Sequence, residues 1–186
     1  MALTNPEIVA QLDLEHPEYL ADGKHRFNTP WCLWSHAWDC KGWDEKHYVK
    51  HTTLYTVEDF WNIYNGFPSL NNRDMWFLMR EGIPPRWEDP LNKEGGSFKF
   101  RVAEKDVDNT WLTLSLYLVS ESMCRKLEDA NLICGLSISP KHKGFSTISV
   151  WNLDKNHTAH AIFPSNILGI NFNMSQYQPH GERKMG

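Results

Sequence analysis

Apolar and polar positions along the chain fall into short runs, and the period of those runs changes several times. "FNTPWCLWSH" (27–36) is aromatic and reads as a strand. "HYVKHTTLY" (47–55) is β-branched and alternating, the mark of a second strand. Between them, "AWDCKGWDEK" (37–46) is a polar loop carrying two more tryptophans. The period then turns helical. Val57, Phe60, Trp61 and Tyr64 recur at helical spacing in "TVEDFWNIYNG", Thr56 with Asp59 forms a start signal, and Gly66 a stop. "DMWFLMR" (74–80) and "SFKFRV" (97–102) return to strand character. "DNTWLTLSLYLVSES" (108–122) is ambiguous, because Leu112, Leu114, Leu116 and Leu118 have period two. Its length and Asp108 as a cap favour a helix.

"LICGLSIS" and "FSTISVW" flank "PKHKG" and predict a β-hairpin with a basic tip. "NHTAHAIFPSNILGI" has some helical spacing, but Pro164 should break it. Residues 1–24 and 177–186 are polar and are expected to be flexible tails around a domain at 25–176. Helices and strands are mixed without regular β-α-β alternation, which predicts an α+β fold with a largely antiparallel sheet.

The totals narrow the function classes. A chain of 186 residues suits one domain with a full core, and 41% hydrophobic content excludes a disordered chain. The formal charge of -4 excludes a basic blanket for bulk nucleic-acid binding, so any such contact is local. No apolar run reaches about 18 residues, and "MALTNPEIVA" lacks the layout of a secretory signal. Cys32, Cys40, Cys124 and Cys134 form no Cys-x-x-Cys pair and are expected to be reduced thiols in the cytoplasm or nucleus. The 9 tryptophans exceed what such a core needs, so some of them are expected to face a ligand.

"PPRWEDPLNKEGG" (84–96) carries the most specific chemistry. Pro and Gly at both ends mark a surface loop, yet Trp87 sits there with Glu88 beside it. A Trp face attracts flat cations, and a carboxylate accepts two hydrogen bonds. A ligand that wants both is planar and cationic, with two N–H donors on one edge. Arginine and alkylated purines qualify, and 7-methylguanine fits best. Trp43 is the natural second slab of a sandwich, with Trp38 as its competitor. The plainer alternative, Trp87 plugging a gap beneath its loop, stays open on residues alone. Lys141, His142 and Lys143 on the hairpin tip suit a polyphosphate.

These motifs, in this order, resemble the eukaryotic translation initiation factor 4E family, which binds the mRNA 5′ cap. "TVEDFWNIYN", "GIPPRWEDPLNKEGG", "WCLW" and the late hairpin carry the resemblance, over about residues 25–176. It implies a curved, mostly antiparallel sheet with about three helices on its convex face. It also implies a 7-methylguanine held between Trp43 and Trp87, with Glu88 on the N1 and N2 protons, Trp151 at the N7-methyl group and Lys141–Lys143 on the phosphates. On the convex side, His25, Val57, Trp61, Leu112 and Leu116 would receive a short amphipathic helix. The implied partners are a 4G-like scaffold or a 4E-binding regulatory protein. No cofactor, metal, enzymatic activity or membrane contact is expected, and the protein is expected to be a monomer.

Departures mark a divergent member. The basic tip is one residue longer than usual, and Ser97-Phe98 stands where the family tends to have a basic residue and Trp. Thr113 replaces an expected acidic residue, and "His25-Arg26-Phe27" lacks a proline. These keep a cap-binding repressor as the alternative function. Two rivals come from other classes. A zinc enzyme could use Cys32, His36 and Cys40, but their spacing suits a helix and the stretch reads as strand and loop. A carbohydrate-binding module could use surface Trp, but Glu88 and the basic tip favour a cationic, phosphorylated ligand.

Overall fold

A computed structural model describes residues 23–66, 74–141, 144–164 and 175–181. Among the described residues seven antiparallel strands form one sheet: β1 (Arg26–His36), β2 (Tyr48–Thr56), β3 (Met75–Arg80), β4 (Gly96–Ala103), β5 (Ile133–Lys141), β6 (Phe145–Asn152) and β7 (Gln176–Pro179). Their spatial order is β2-β1-β3-β5-β6-β4-β7. Among the described residues three helices join them: α1 (Val57–Gly66), α2 (Val107–Val119) and the single turn α3 (Leu127–Ala130). The expected α+β, antiparallel architecture is what the chain forms.

Strand pleating divides the side chains between two faces. Trp31 and Leu33 of β1, Trp76 and Leu78 of β3, Phe98 and Phe100 of β4, and Ile148 and Val150 of β6 join one large apolar core. The helices close this core from above. Trp111, Leu114 and Leu118 of α2, Phe60 of α1 and Ala130 of α3 all enter it. Full burial of each Leu stabilises by about 1.5–3 kcal/mol, which is why α2 is helical despite its period-two leucines. Val107, Trp111, Leu114 and Leu118 make the inward stripe, and Leu112 and Leu116 are left half-buried on its flank. The helix starts at Val107, one residue before the expected Asp108 cap.

The α1 start is built as the sequence predicts. The Asp59 N–H donates to Thr56 Oγ1 at 3.1 Å, and Asp59 Oδ2 accepts from the Tyr55 and Thr56 N–H groups at 3.0 and 3.1 Å. The Tyr64 hydroxyl donates to the buried Ser115 Oγ at 2.6 Å and ties α1 to α2. Burial pushes the Tyr64 phenol pKa up.

One sequence expectation changes. Tyr177 does not begin a loose tail: 176–179 is the edge strand β7, paired with β4 from Lys99↔Gln176 to Gly96↔Pro179. The cause is one residue, Tyr177, whose ring packs edge-on against Phe98 (4.8 Å, 66°) and whose hydroxyl donates to Asn152 Oδ1 at 2.8 Å. "QYQP" has too few apolar positions to signal this from sequence. The segment before Pro164 forms only a 3-10 turn at His160–Ile162, in line with the expected break at that proline. The expected N-terminal tail lies outside the described residues except for 23 and 24, and of the C-terminal tail 182–186 do. Among the described residues no helix is long and apolar enough to cross a membrane.

Candidate functional site

The opposite face of the sheet carries a cleft of about 760 Å³. Its floor comes from the alternate strand positions: Ser97 and Lys99 of β4, Ser137, Ser139 and Lys141 of β5, and Thr147, Ser149 and Trp151 of β6. Trp87 forms one wall, and Gln178, Pro179, His180 and Gly181 form another. One end of the cleft is therefore aromatic and the other carries two lysines and a row of hydroxyls.

Trp151 is 9% exposed and fixed on three sides. Its indole N–H donates to Ser137 Oγ at 2.9 Å, and its ring meets Phe77 (6.4 Å, 76°) and His180 (4.7 Å, 58°). Aromatic contacts continue from Phe77 to Tyr48 (5.6 Å), from Tyr48 to His36 (5.0 Å), and from His36 to Trp43. The last pair is stacked, with centroids 4.4 Å apart and planes 8° apart. His36 also donates from Nε2 to the Gly42 carbonyl at 2.7 Å, which holds the loop that presents Trp43. Trp43 remains 51% exposed.

The Trp87 loop owes its shape to Asn92, which is fully buried. Its side-chain amide donates to the Pro84 and Arg86 carbonyls, both at 2.8 Å, and its own carbonyl accepts from His180 Nδ1 at 2.7 Å. The two glycines that end the loop are required by close approach. A Cβ on Gly95 would lie 2.0 Å from the Asn152 carbonyl oxygen, and one on Gly96 would lie 2.3 Å from the Tyr177 hydroxyl. Trp87, held out by this loop, is 48% exposed, with Gly181 against its ring.

Trp87, Trp151 and Lys141 thus share the cleft, while Trp43 and Glu88 are not part of its lining. Glu88 Oε2 lies 4.0 Å from Arg86 Nε, and Arg86 Nη1 lies 4.0 Å from Glu45 Oε2, which bridges the Trp87 and Trp43 loops. Burial, and then the Glu88 charge, push the Tyr48 phenol up to about 12. Trp38 is also exposed, and its N–H donates to Asp74 Oδ1 at 3.0 Å. His142 and Lys143 lie outside the described residues.

The cationic end has a residue that sequence reasoning passed over. Lys99 donates from Nζ to Gln178 Oε1 at 2.7 Å, and Lys141 from Nζ to Ser139 Oγ at 2.7 Å. Desolvation holds both lysines below the usual lysine pKa, and for Lys99 the charge of Lys141 adds to the effect. A signal was present in "SFKFRV": with Phe98, Phe100 and Val102 facing the core, Lys99 faces the other way. His36, Asn92 and His180 gave no comparable signal.

On the helix side, Phe60 is 1% exposed and its neighbour Trp61 is 40% exposed. Val57 is 37% exposed, and Leu112 and Leu116 are half-buried. His25 sits at the α1 start. Its backbone N–H and Nδ1 meet the Glu58 carboxylate at 3.0 and 2.8 Å, and its carbonyl accepts from the Val57 N–H at 2.8 Å. Trp31, Trp76 and Trp111 are core residues, whereas Trp34 is half-buried against the Phe77–Trp151 cluster.

The residues considered for zinc serve separate contacts. Cys32 pairs with Thr53, Cys40 points at the Gly42 carbonyl, and His36 lies under Trp43. Among the described residues no group of three His, Cys, Asp or Glu could hold a metal ion.

A family model described as eukaryotic initiation factor 4E matches residues 26–185. The chain is 32% identical to eukaryotic translation initiation factor 4E1 of Drosophila melanogaster, over 84% of this chain and 63% of that protein. It is 35% identical to eukaryotic translation initiation factor 4E of Eremothecium gossypii, over 70% of this chain and 63% of that protein. The chain therefore spans less than two thirds of the length of these relatives. Among solved structures it is similar to C. elegans eIF4E-3 in complex with the 4E-binding protein Mextli and cap analog, with TM-score 0.73 and 26% identity, over 84% of this chain and 93% of that one. It is also similar to a schistosome eIF4E complexed with m7GpppG and 4E-BP, with TM-score 0.65 and 28% identity, over 73% of this chain and 76% of that one.

Proposed function

Because the chain belongs to the eukaryotic initiation factor 4E family, we propose that it binds the 7-methylguanosine 5′ cap of mRNA in the cleft and recruits a helical partner on the opposite face. The observation that carries this reading is the polarity of the cleft, with Trp87 and Trp151 at one end and Lys99 and Lys141 at the other. A cap nucleotide has the same polarity, a flat cationic base joined to a chain of phosphates. Trp43 and Trp87 take the two faces of the base, Glu88 accepts from its paired N–H donors, and Trp151 meets the methyl group. Each of these contacts is strongest for a methylated, cationic ring. The role is binding, with no bond made or broken.

The partner is an amphipathic helix laid along Val57, Trp61, Leu112 and Leu116. The related worm and schistosome structures hold 4E-binding proteins together with a cap analog or m7GpppG, which supports assigning both activities to this chain. Translation initiation is the process this serves, and the cytoplasm its place of work, which fractionation of cells would check.

Titration with 7-methyl-GTP and GTP, followed by Trp fluorescence, tests the proposal. Both nucleotides offer Glu88 the same donors, but only one has a cationic ring. A desolvated cation–π contact contributes about 2 kcal/mol or more, so 7-methyl-GTP is expected to bind at least tenfold more tightly, by roughly 1.4 kcal/mol per decade. Equal affinities would sink the cap reading.

A further inference from the structure

We propose that Lys99 is the residue that meets the first phosphate of the bound nucleotide, and that Lys141 meets the phosphates beyond it. This deepens the cap reading and rests on it for the position of the base.

Sheet register supplies the ruler. Trp151 pairs with Ser97 on one side and Gly135 on the other, which fixes the row at the aromatic end. The next row on the same face is Lys99, Ser149, Ser137 and Phe77, and the one after it contains Arg101, Thr147 and Ser139. Successive same-face residues on an antiparallel strand are about 6.8 Å apart. Lys99 therefore stands one row from Trp151. Lys141 folds its ammonium back over Ser139, two rows from Trp151. Arg101 shares that second row, but its guanidinium lies over the Phe145 ring at 4.4 Å and is not part of the lining.

The two lysines share a further property. Each is partnered by a neutral group, Gln178 Oε1 or Ser139 Oγ. The walls around them weaken their hydration, and the charge of Lys141 bears on Lys99. Two partly desolvated cations with neutral partners are relieved by an anion between them. Around them stand the hydroxyls of Ser137, Ser139, Thr147 and Ser149, donors that suit phosphate oxygens. A phosphate chain leaving a base at Trp151 would reach Lys99 first.

The test is an affinity ladder by Trp fluorescence with 7-methylguanosine and its 5′-mono-, di- and triphosphates, on wild type, Lys99→Met, Lys141→Met and Gln178→Leu. Lys99→Met is expected to bind the nucleoside like wild type and to lose about tenfold or more with the monophosphate, and as much with the longer chains. Lys141→Met should match wild type with the nucleoside and the monophosphate and lose affinity from the diphosphate onward. Gln178→Leu, which removes the partner of Lys99 on β7, should keep the gain from each added phosphate. The proposal is overturned if Lys99→Met weakens the nucleoside as much as its phosphates, if it leaves the monophosphate unaffected, or if Gln178→Leu reproduces its pattern. A parallel series from guanosine to GTP separates this from the cap reading. Phosphate gains that depend on Lys99, but with no preference for the methylated base, would keep the lysine assignment and remove the cap.

Discussion

The two faces of strands β3 to β6 are made by the same residues taken alternately, and they could hardly differ more. Toward the helices point Leu78, Leu136, Ile148 and Val150, each 0–1% exposed and close-packed beneath α2. Toward the cleft point Phe77, Ser137, Ser149 and Trp151, with Lys99 and Lys141 beside them. The first face is finished, since its apolar surface is covered by its own chain. The second is arranged but incomplete, with open Trp faces and cations set against neutral partners. Folding free energy comes mainly from the first face, and the second is stabilised further by whatever ligand binds it. The helix side repeats the contrast on a smaller scale: on α1, Phe60 is buried and the adjacent Trp61 is not.

That adjacent pair gives the two largest expected effects. Phe60 stacks on Tyr64 (4.1 Å, 17°) and is 1% exposed, so Phe60→Ala should cost about 3–5 kcal/mol of stability. Thermal or urea unfolding measures this, and a loss under 1 kcal/mol would mean the finished face is not what holds α1. Trp61 meets Phe60 only edge-on, at 5.3 Å and 90°. Trp61→Ala should cost stability no more than about 1.5 kcal/mol and remove about 2 kcal/mol or more of binding to an amphipathic 4E-binding peptide. Cap-analogue affinity, read on the other face, should stay at the wild-type value. A melting temperature that falls as far as for Phe60→Ala would erase the distinction between the neighbours.

Glu88→Gln tests the incomplete face. The side chain is 36% exposed and 4.0 Å from Arg86, so the fold loses little without its charge. The substitution keeps the shape but turns one donor toward a donor. A charge-assisted hydrogen bond contributes about 1.5–3 kcal/mol, and a loss of that size is expected for 7-methyl-GTP with unfolding unchanged. Normal binding by the variant would show that another group accepts from the base edge.

The same contrast explains what the sequence made legible. Core faces write themselves as periodicity, because water drives every apolar residue of a strand or helix to one side. Thus α1 with its Thr56–Asp59 cap and the hairpin of β5 and β6 were readable. One wall of the cleft was readable where a surface loop carries a tryptophan, as at Trp87 after Pro84-Pro85-Arg86. The cleft was not readable where a residue acts through a distant partner. Asn92 looks like any loop asparagine until Pro84, Arg86 and His180 close around it. "QYQP" became a strand only because β4 offered an open edge and Tyr177 a ring to pack. Lys99 was hidden by the very pattern that identified its strand, since alternation draws the eye to Phe98 and Phe100.

The smallest expected effect concerns pH and would sharpen the account of the cationic end. Lys99 has its pKa lowered from 10.5, first by desolvation and then by the charge of Lys141, and Lys141 is lowered by desolvation. The sign follows from linkage. Between the lowered value and 10.5 the unfolded chain holds more protons than the fold, so these two groups make stability rise with pH in that window. Binding of a phosphate does the opposite, because it favours the protonated lysines. Affinity for 7-methyl-GTP relative to 7-methylguanosine should therefore decline as pH rises toward 10.5, and earlier than an ordinary lysine would make it. Taking the ratio cancels the titration of the base, which both ligands share. The decline is expected to be smaller than the loss caused by Lys99→Met, because each lysine keeps part of its charge through the window. Lys99→Arg, whose guanidinium stays charged throughout, should flatten most of it. A ratio that stays level to pH 10.5 in wild type would mean that neither lysine touches the phosphates.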